Sequence, residues 1–596
     1  MLIDFIQLTI LFGLGILGTN IGVAMLQKGK KKPIIVLTIV ELLILGGAVY
    51  ALLPSKTLSS ILWINLIGVL GASAILWLLR YIRSGQLAEE IKQARQNKVV
   101  KPAKKPLALA PKVFWLGVLA ALLLWGVSGI TRIVSTDSIY ATIPATTQEQ
   151  AETLTSTKET PIAIAPDTAK RKMLQKFSVI PNSNMFTLDG ITAQTINGEY
   201  VYVATLEYNG FWKWFKLKEI PGYFKISATD INAQPEFVSK PLHYTPSAYF
   251  NEDAARKIYA AFPGYGSLGT INLEIDEEGN PFYIQTLYKE YGVTGLMHFD
   301  HFKTAVLNAQ TGAVDLYDSE KAPSFIDAPI TSAAANRLNE YYGRYSQGWW
   351  NQFIFGAKKD VKIPTENGIY ASGQITPLLN KDSELLYFTD FTSDDSNQDS
   401  ALGYSLINAR TGQLTYYRDA DVGIMDSDGA ISIASKIYPE KKWKAEMPVL
   451  YNIDGVQTWI VSLMDSKGIF KKYVYINAVD NDIVIDADTA QAALDAYRIE
   501  LATSGSNNQN SDPANMAEKQ GTVQRVQLLT GTSQTVVSFI LENDPIIYSV
   551  NINNSPYAQF LQVGDQVTFQ ANVTADMTAA SIESLTIEGV PTAETN

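Results

Sequence analysis

Cysteine is absent from all 596 residues. Disulfides, thiolate metal sites and cysteine nucleophiles are therefore excluded. Histidine is scarce: His243, His298 and His301 are the only three, which leaves little material for imidazole catalysis. Acidic residues are sparse at the start of the chain, where residues 1–134 carry 4 Asp and Glu against 15 Lys and Arg. Beyond residue 134 the balance reverses to 33 basic residues against 55 acidic ones, and no further long apolar run occurs. G-x-S-x-G, Walker A, Rossmann and H-E-x-x-H patterns are missing. No motif assigns a reaction, and no catalytic residue is expected. The paired carboxylates of glycan hydrolysis need no motif and stay open.

What is present divides into an apolar basic part and a large acidic part. Four apolar runs, Ile3–Leu26, Ile34–Leu53, Ile61–Leu79 and Val113–Ile133, each have the ~20 residues that cross ~30 Å of hydrocarbon. The first has no basic flank, so it reads as a span and not as a cleavable signal. Basic residues set the orientation. Lys28, Lys30, Lys31 and Lys32 follow span 1, and nine Lys and Arg between Arg80 and Lys112 follow span 3. Both loops are expected in the cytoplasm. The N-terminus and residues 135–596 are then expected outside a bacterial plasma membrane. Within the spans, Glu41 is a costly charge. It reads as a protonated carboxyl bonded to a neighbouring helix, with Asn20 and Asn65 as partners, or else as an ion site. Gly18 with Gly22 and Gly68 with Ala72 have the spacing of close helix packing, within the bundle or between copies.

The expected fold class is an α-helical membrane anchor of four transmembrane helices, an α+β ectodomain of repeated helix/antiparallel-sheet units, and a C-terminal all-β OB-like barrel. Residues 1–134 form the anchor. Residues 135–168 and 503–520 read as linkers, rich in small and polar residues. Residues 169–330 and 331–502 hold the repeated units, and 521–596 the barrel.

The repeat is visible in the chain. LNAQTGAVDLYD at Leu307–Asp318 matches INARTGQLTYYRD at Ile407–Asp419, with INAVDNDIVIDAD at Ile476–Asp488 as a weaker copy. Each predicts strand, tight turn, strand, with Gly312 and Gly412 supplying positive φ. Ala255–Lys289 and Ser435–Lys467 correspond as helix plus hairpin, both opening on Lys-Ile-Tyr. One unit thus reads as helix, hairpin, strand, turn, strand. Ala309–Val314 and Ala409–Leu414 resemble the closing hairpin of the PepSY family. The resemblance covers Asn251–Asp318 and Asp428–Asp488, with degenerate copies around Met185–Val238 and Thr365–Asp419. It implies a protein- or peptide-interacting envelope module without catalysis.

The last 76 residues predict three strands, a short helix at Ser555–Leu561 and two strands, the order of an OB-fold. Arg525 is the only Lys or Arg there, which argues against nucleic acid.

Several clusters admit a functional reading beside a plain one. Asp419, Asp421, Asp426 and Asp428 lie close enough in sequence to offer oxygen ligands to Ca²⁺, or form a solvated acidic loop. Asp390–Asp399 has the same two readings. His298 to His301 places one His and Asp300 on one face of a strand, a poor zinc arrangement. Trp212 and Trp214, with Lys213, Lys216 and Lys218, suit a membrane surface or partner, or share one face of a half-buried hairpin. Trp349 and Trp350 follow an amphipathic helix and are core or interfacial. The expected function is a non-catalytic, membrane-anchored envelope scaffold, assembly factor or regulator. It would act through protein contacts and bind no cofactor other than Ca²⁺ at most. Its expected partners are the lipid bilayer, an envelope or membrane protein and a second copy. A ligand- or peptide-sensing ectodomain is the first alternative. An envelope hydrolase or transporter component is the second.

Overall fold

A computed structural model describes residues 1–26, 32–83, 109–149, 165–230, 232–354, 361–370, 373–380, 384–393, 400–418, 423–453, 455–504, 516–530, 535–573 and 579–590. Helices Lys32–Leu52, Leu58–Arg83 and Leu109–Val134 are each long and apolar enough to cross a membrane. The first apolar run, expected as one span, is two helices, Leu2–Phe12 and Leu14–Leu26, bent by 57°. Gly13 sits at the break. A Cβ there would lie 2.6 Å from a Leu42 methyl carbon and 2.8 Å from the Thr9 carbonyl oxygen.

A break inside hydrocarbon strands backbone groups that must find partners. Asn65 supplies them. Its Oδ1 accepts from the Gly15 N–H at 2.7 Å, and its Nδ2 donates to the Leu11 carbonyl at 3.0 Å. Asn65 therefore does not partner Glu41, contrary to the expectation. Asn20 does, donating to Glu41 Oε2 at 2.6 Å and to Thr38 Oγ1 at 3.0 Å. A Cβ at Gly68 would lie 3.0 Å from an Ile16 side-chain carbon, whereas one at Gly18 or Gly22 would meet nothing within 4 Å. The basic loops at 27–31 and 84–108 lie outside the described residues.

The folded part stands on one end of the helical bundle. Phe5, Val49 and Tyr259 share a small core. Tyr259 donates to the Pro54 carbonyl at 2.6 Å, Arg256 donates to the Tyr50 carbonyl at 3.2 Å, and Lys56 N–H donates to the Pro263 carbonyl. At the last helix, Arg132 donates to the Thr294 carbonyl and Ser128 to the Val293 carbonyl. The start of the first apolar run, the turn at 53–57 and the exit at 134 therefore all lie at this end.

Four sheets follow, each preceded by a helix. The helices are Pro166–Gln175, Ala254–Ala261, Ser332–Tyr345 and Ser427–Lys436. The first sheet runs Phe186–Ile196, Glu199–Tyr208, Tyr223–Ser227, Glu236–Val238, and the second Gly266–Ile275, Pro281–Tyr288, Lys303–Asn308, Val314–Asp318. The fourth runs Lys444–Ile453, Val456–Met464, Phe470–Asn477, Val484–Ala487. All three are antiparallel meanders in chain order. The third is the meander Thr376–Leu379, Leu385–Ser393, Gly403–Asn408, Leu414–Tyr417, extended by Lys362–Pro364 and by Ala145–Gln148. That last strand comes from the segment read as a linker. Helix Thr136–Tyr140, with Ile139 buried, also folds there.

Identical hydrogen bonds make the turns equivalent. Asn308 Oδ1 accepts from the N–H of Gln310 and Thr311, and Asn408 Oδ1 from Arg410 and Thr411. Gly312 and Gly412 have φ of +75° and +74°. Asn477 Oδ1 accepts likewise from Val479 and Asp480, but this loop closes on Ile483, one residue later than its counterparts. The extra residue replaces the glycine. In each turn the following alanine carbonyl accepts a backbone N–H from the entry to the unit's helix: His243 to Ala309, Ile330 to Ala409, Met425 to Ala478. The turn thus ties helix to sheet.

The C-terminal sheet has strands Met516–Thr530, Thr535–Leu541, Ile547–Asn551, Gln566–Asn572, Ala579–Ile582 and Thr586–Ile587, with a 3₁₀ turn at Pro556–Phe560. Its first strand starts inside the expected second linker and pairs with Gln566–Asn572 through one half and Thr535–Leu541 through the other. Helix Ala490–Ser504, unforeseen in the sequence, packs between the fourth sheet and these strands.

Candidate functional site

The first and second sheets approach each other through strands Phe186–Ile196 and Gly266–Ile275. They do not pair. Gln194, wholly buried, replaces the ladder: its Nε2 donates to the Leu273 carbonyl at 3.3 Å and its Oε1 accepts from the Ile275 N–H at 2.8 Å. Both strands are bulged beside this clamp, at Gly190 and between Leu268 and Asn272. Bulges bend strands and re-aim side chains. Here they open a cavity of about 740 Å³ between the sheets, which Tyr370 and Tyr387 of the third unit also line.

Among the described residues the lining holds Asp189, Glu207 and Glu274 and no Lys, Arg or His. Glu207 Oε2 accepts from the Ser247 N–H at 3.0 Å and Oε1 from the Thr205 hydroxyl at 3.3 Å. Burial nevertheless pushes its carboxyl up to about 7, against the lowering effect of those bonds. Burial, reinforced by the nearby Asp327 carboxyl, holds Glu274 well above the usual carboxylate range. Glu274 Oε2 and the hydroxyls of Tyr208 and Tyr283 are buried without a hydrogen-bond partner among the described residues. Buried polar groups are normally paired. Several orphans around one cavity form an array able to bind a polar ligand.

The cavity is linked to the anchor through one helix. Ala255 lines it, and belongs to the same short helix whose Arg256 and Tyr259 bond the Tyr50 and Pro54 carbonyls. Asp253 caps this helix by accepting from the Arg256 N–H at 2.8 Å.

No protein-family model matches this chain, and no curated protein matches it. Similar solved structures include one titled glycoside hydrolase, at 11% identity over 63% of this chain and 92% of the other, TM-score 0.18. The Bombyx mori GH32 β-fructofuranosidase BmSUC1 is 9% identical over 69% of each chain, TM-score 0.19. A xylan β-1,4-xylosidase from Bacillus halodurans is 11% identical over 70% and 60%, TM-score 0.17. Likeness at these scores establishes no shared fold.

None of the residues singled out in the sequence lines the cavity. Trp212 and Trp214 lie in a helix, Phe211–Leu217, not in a hairpin, so they part: Trp212 is 77% exposed and Trp214 2%. The Trp214 indole donates to Glu252 at 2.8 Å under the Lys218 ammonium. Trp349 and Trp350 start helix Gly348–Phe353, the first half-buried and the second exposed. His298, Asp300 and His301 lie in an irregular segment pinned by buried Phe299 and Phe302, not in a strand. Among the described residues no group of three His, Asp or Glu could hold a metal.

Asp419 and Asp421 lie outside the described residues. Asp426 is spent capping helix Ser427–Lys436, accepting from the Gly429 N–H at 2.9 Å. Asp428 accepts from Asn367 at 3.1 Å. Asp390, read as part of an acidic loop, is instead buried in a strand, where it accepts from the Ser427 N–H at 3.0 Å and burial raises its carboxyl to about 6.

Sequence reasoning misses Glu207 and Glu274, which sit in ordinary strand patterns. Their signal was an acid at a position flanked by buried apolar residues, as in Leu273-Glu274-Ile275.

Proposed function

We propose that this is a non-catalytic, membrane-anchored envelope protein whose outer part binds a small polar ligand and stands in fixed contact with the membrane helices. The cavity with its unpartnered Glu274, Tyr208 and Tyr283 groups carries this reading. Three acids without a basic residue disfavour anions. An amine-bearing or hydroxyl-rich molecule, such as a short peptide or a sugar, fits the lining. The PepSY-like reading of the four units agrees with a peptide-recognising role. The orientation follows from the basic loops, and it puts the cavity outside the cell.

The test is a thermal-shift series on the intact protein in nanodiscs with Gly-Lys, chitobiose and succinate. Stabilisation by the dipeptide or the sugar, absent for succinate and reduced in Glu274→Gln, is expected. No stabilisation, or an equal one from succinate, contradicts the reading. Turnover of either probe would overturn the non-catalytic part.

A scaffold role has its own support. The C-terminal strands suit an OB-like barrel, with a long first strand shared by two neighbours and a parallel pair between Ile547–Asn551 and Ala579–Ile582. On it, Tyr557, Phe560 and Val563 are exposed together. Such a patch fits a protein partner.

A further inference from the structure

Two exposed aromatic patches flank the end of the helical bundle on which the folded part stands. The first comprises Trp212, Phe215 and Phe250, each more than half exposed. Trp212 and Phe215 both pack against Phe211, which also meets Phe250. Phe250 has a left-handed backbone, φ +55°, a strained conformation for a bulky residue. Its ring packs on Phe211 and Trp214 with one side and stays 57% exposed.

This patch lies beside the second span. Phe250 opens the turn leading into helix Ala254–Ala261. From that helix the Arg256 guanidinium lies 4.2 Å from the centre of the Tyr50 ring. Tyr50 is two residues from the end of helix Lys32–Leu52.

The second patch comprises Trp350, Phe353 and Ile354, again each more than half exposed. Its helix packs on Thr136–Tyr140, which directly continues the last span. A Cβ at Gly348 would lie 2.8 Å from Asp137 Oδ1. The two patches thus lie beside the ends of two different spans, at the same end of the bundle.

We propose that both patches are feet seated in the interfacial zone of the bilayer that the spans cross. Trp and other aromatic rings favour that zone. Lys213 and Lys218 beside the first foot suit anionic headgroups. The feet hold the folded part upright on the anchor. A bilayer explains why both patches occur at one end of the bundle; a protein partner would need two separate sites there.

The chain has no cysteine, so Lys216→Cys gives a single labelling site that leaves the first foot intact. The full protein carrying an NBD label there is reconstituted in phosphatidylcholine/phosphatidylglycerol vesicles. Blue-shifted emission is expected, quenched several-fold more by lipid bearing a doxyl group near the headgroup than by aqueous iodide. Adding Trp212→Ser and Phe215→Ser should abolish the lipid quenching while the protein stays folded, because both residues are exposed. Water-like emission quenched mainly by iodide overturns the proposal. So does blue-shifted emission that lipid does not quench and that grows with protein density, which would mean a second copy covers the patch. For the second foot, Trp350→Ser combined with Trp212→Ser should increase protease cleavage of the folded part in vesicles without lowering its melting temperature; unchanged cleavage counts against a paired seat.

Discussion

Two tryptophans two residues apart in sequence play opposite roles. Trp214 is core: its ring is buried against Tyr249 and its indole N–H is bonded to Glu252. Trp214→Ser should cost about 3–5 kcal/mol of stability, whereas Trp212→Ser should stay within about 0.5 kcal/mol. Equal losses in chemical denaturation would contradict this division. Asn65 holds the break in the first span through the Gly15 N–H and the Leu11 carbonyl, and also donates to the Ile61 carbonyl. Asn65→Leu leaves those groups buried and unpaired, at about 1–3 kcal/mol for each one not rescued. A lower melting temperature in detergent is expected, and an unchanged one would show that the break needs no clamp.

Glu207 makes stability depend on pH. Its carboxyl rises to about 7 from an ordinary value of 4.5. The folded state therefore holds the proton more tightly than the unfolded one. The resulting stabilisation is complete below about pH 4.5 and is lost as pH climbs through about 7. Asp390, Glu274 and Asp327 are raised by burial as well and act in the same direction. The folded part should melt at a lower temperature near pH 8 than near pH 5.5. Glu207→Gln should flatten part of that slope; a variant with the full wild-type slope would mean Glu207 is ionised throughout.

At the scale of elements, the repeated turn was the most legible feature. Asn, Ala, Thr and Gly each have a local job there, so the pattern survives in the sequence. Gly312 and Gly412 share a backbone conformation but not an environment. A Cβ at Gly312 would lie 2.3 Å from the Tyr244 ring, whereas at Gly412 nothing is nearer than 3.7 Å. Gly312→Ala should therefore destabilise more than Gly412→Ala, which carries only the positive-φ cost of about 1 kcal/mol. Equal melting temperatures would refute the difference.

Other elements hid for physical reasons. In the first unit Ser227 and Ala228 stand where the other three have Asn and Ala, with Ala228 N–H donating to the Tyr200 carbonyl. An eight-residue excursion then separates the last two strands, so no turn motif remains. The helix at Phe211–Leu217 was misread because period-2 alternation of Trp and Lys over a few residues fits a strand as well as a short helix. The strand Ala145–Gln148 reads as linker because its segment is rich in Thr, Ala, Pro and Glu with few large apolars; its side chains are exposed throughout, and its parallel pairing with Leu414–Tyr417 orders it.

At the scale of the molecule, the sequence announced a basic anchor, an acidic folded part and tandem units. It could not announce the cavity. That space arises where two bulged strands from separate units meet across about 80 residues of chain, and no local pattern records such a meeting. The contact between folded part and anchor was equally silent, because it runs largely through backbone carbonyls at Tyr50, Pro54 and Thr294.

Ligand recognition outside the cell requires that the folded part and the turn at 53–57 share the outer face while the loop at 27–31 faces the cytoplasm. Single cysteines at Asp300, Ser55 and Lys30, tested with a membrane-impermeant maleimide on intact cells, measure this directly. Labelling is predicted for Asp300→Cys and Ser55→Cys, with Lys30→Cys reacting only after permeabilisation. Labelling of Lys30→Cys on intact cells, with Asp300→Cys protected, would contradict it.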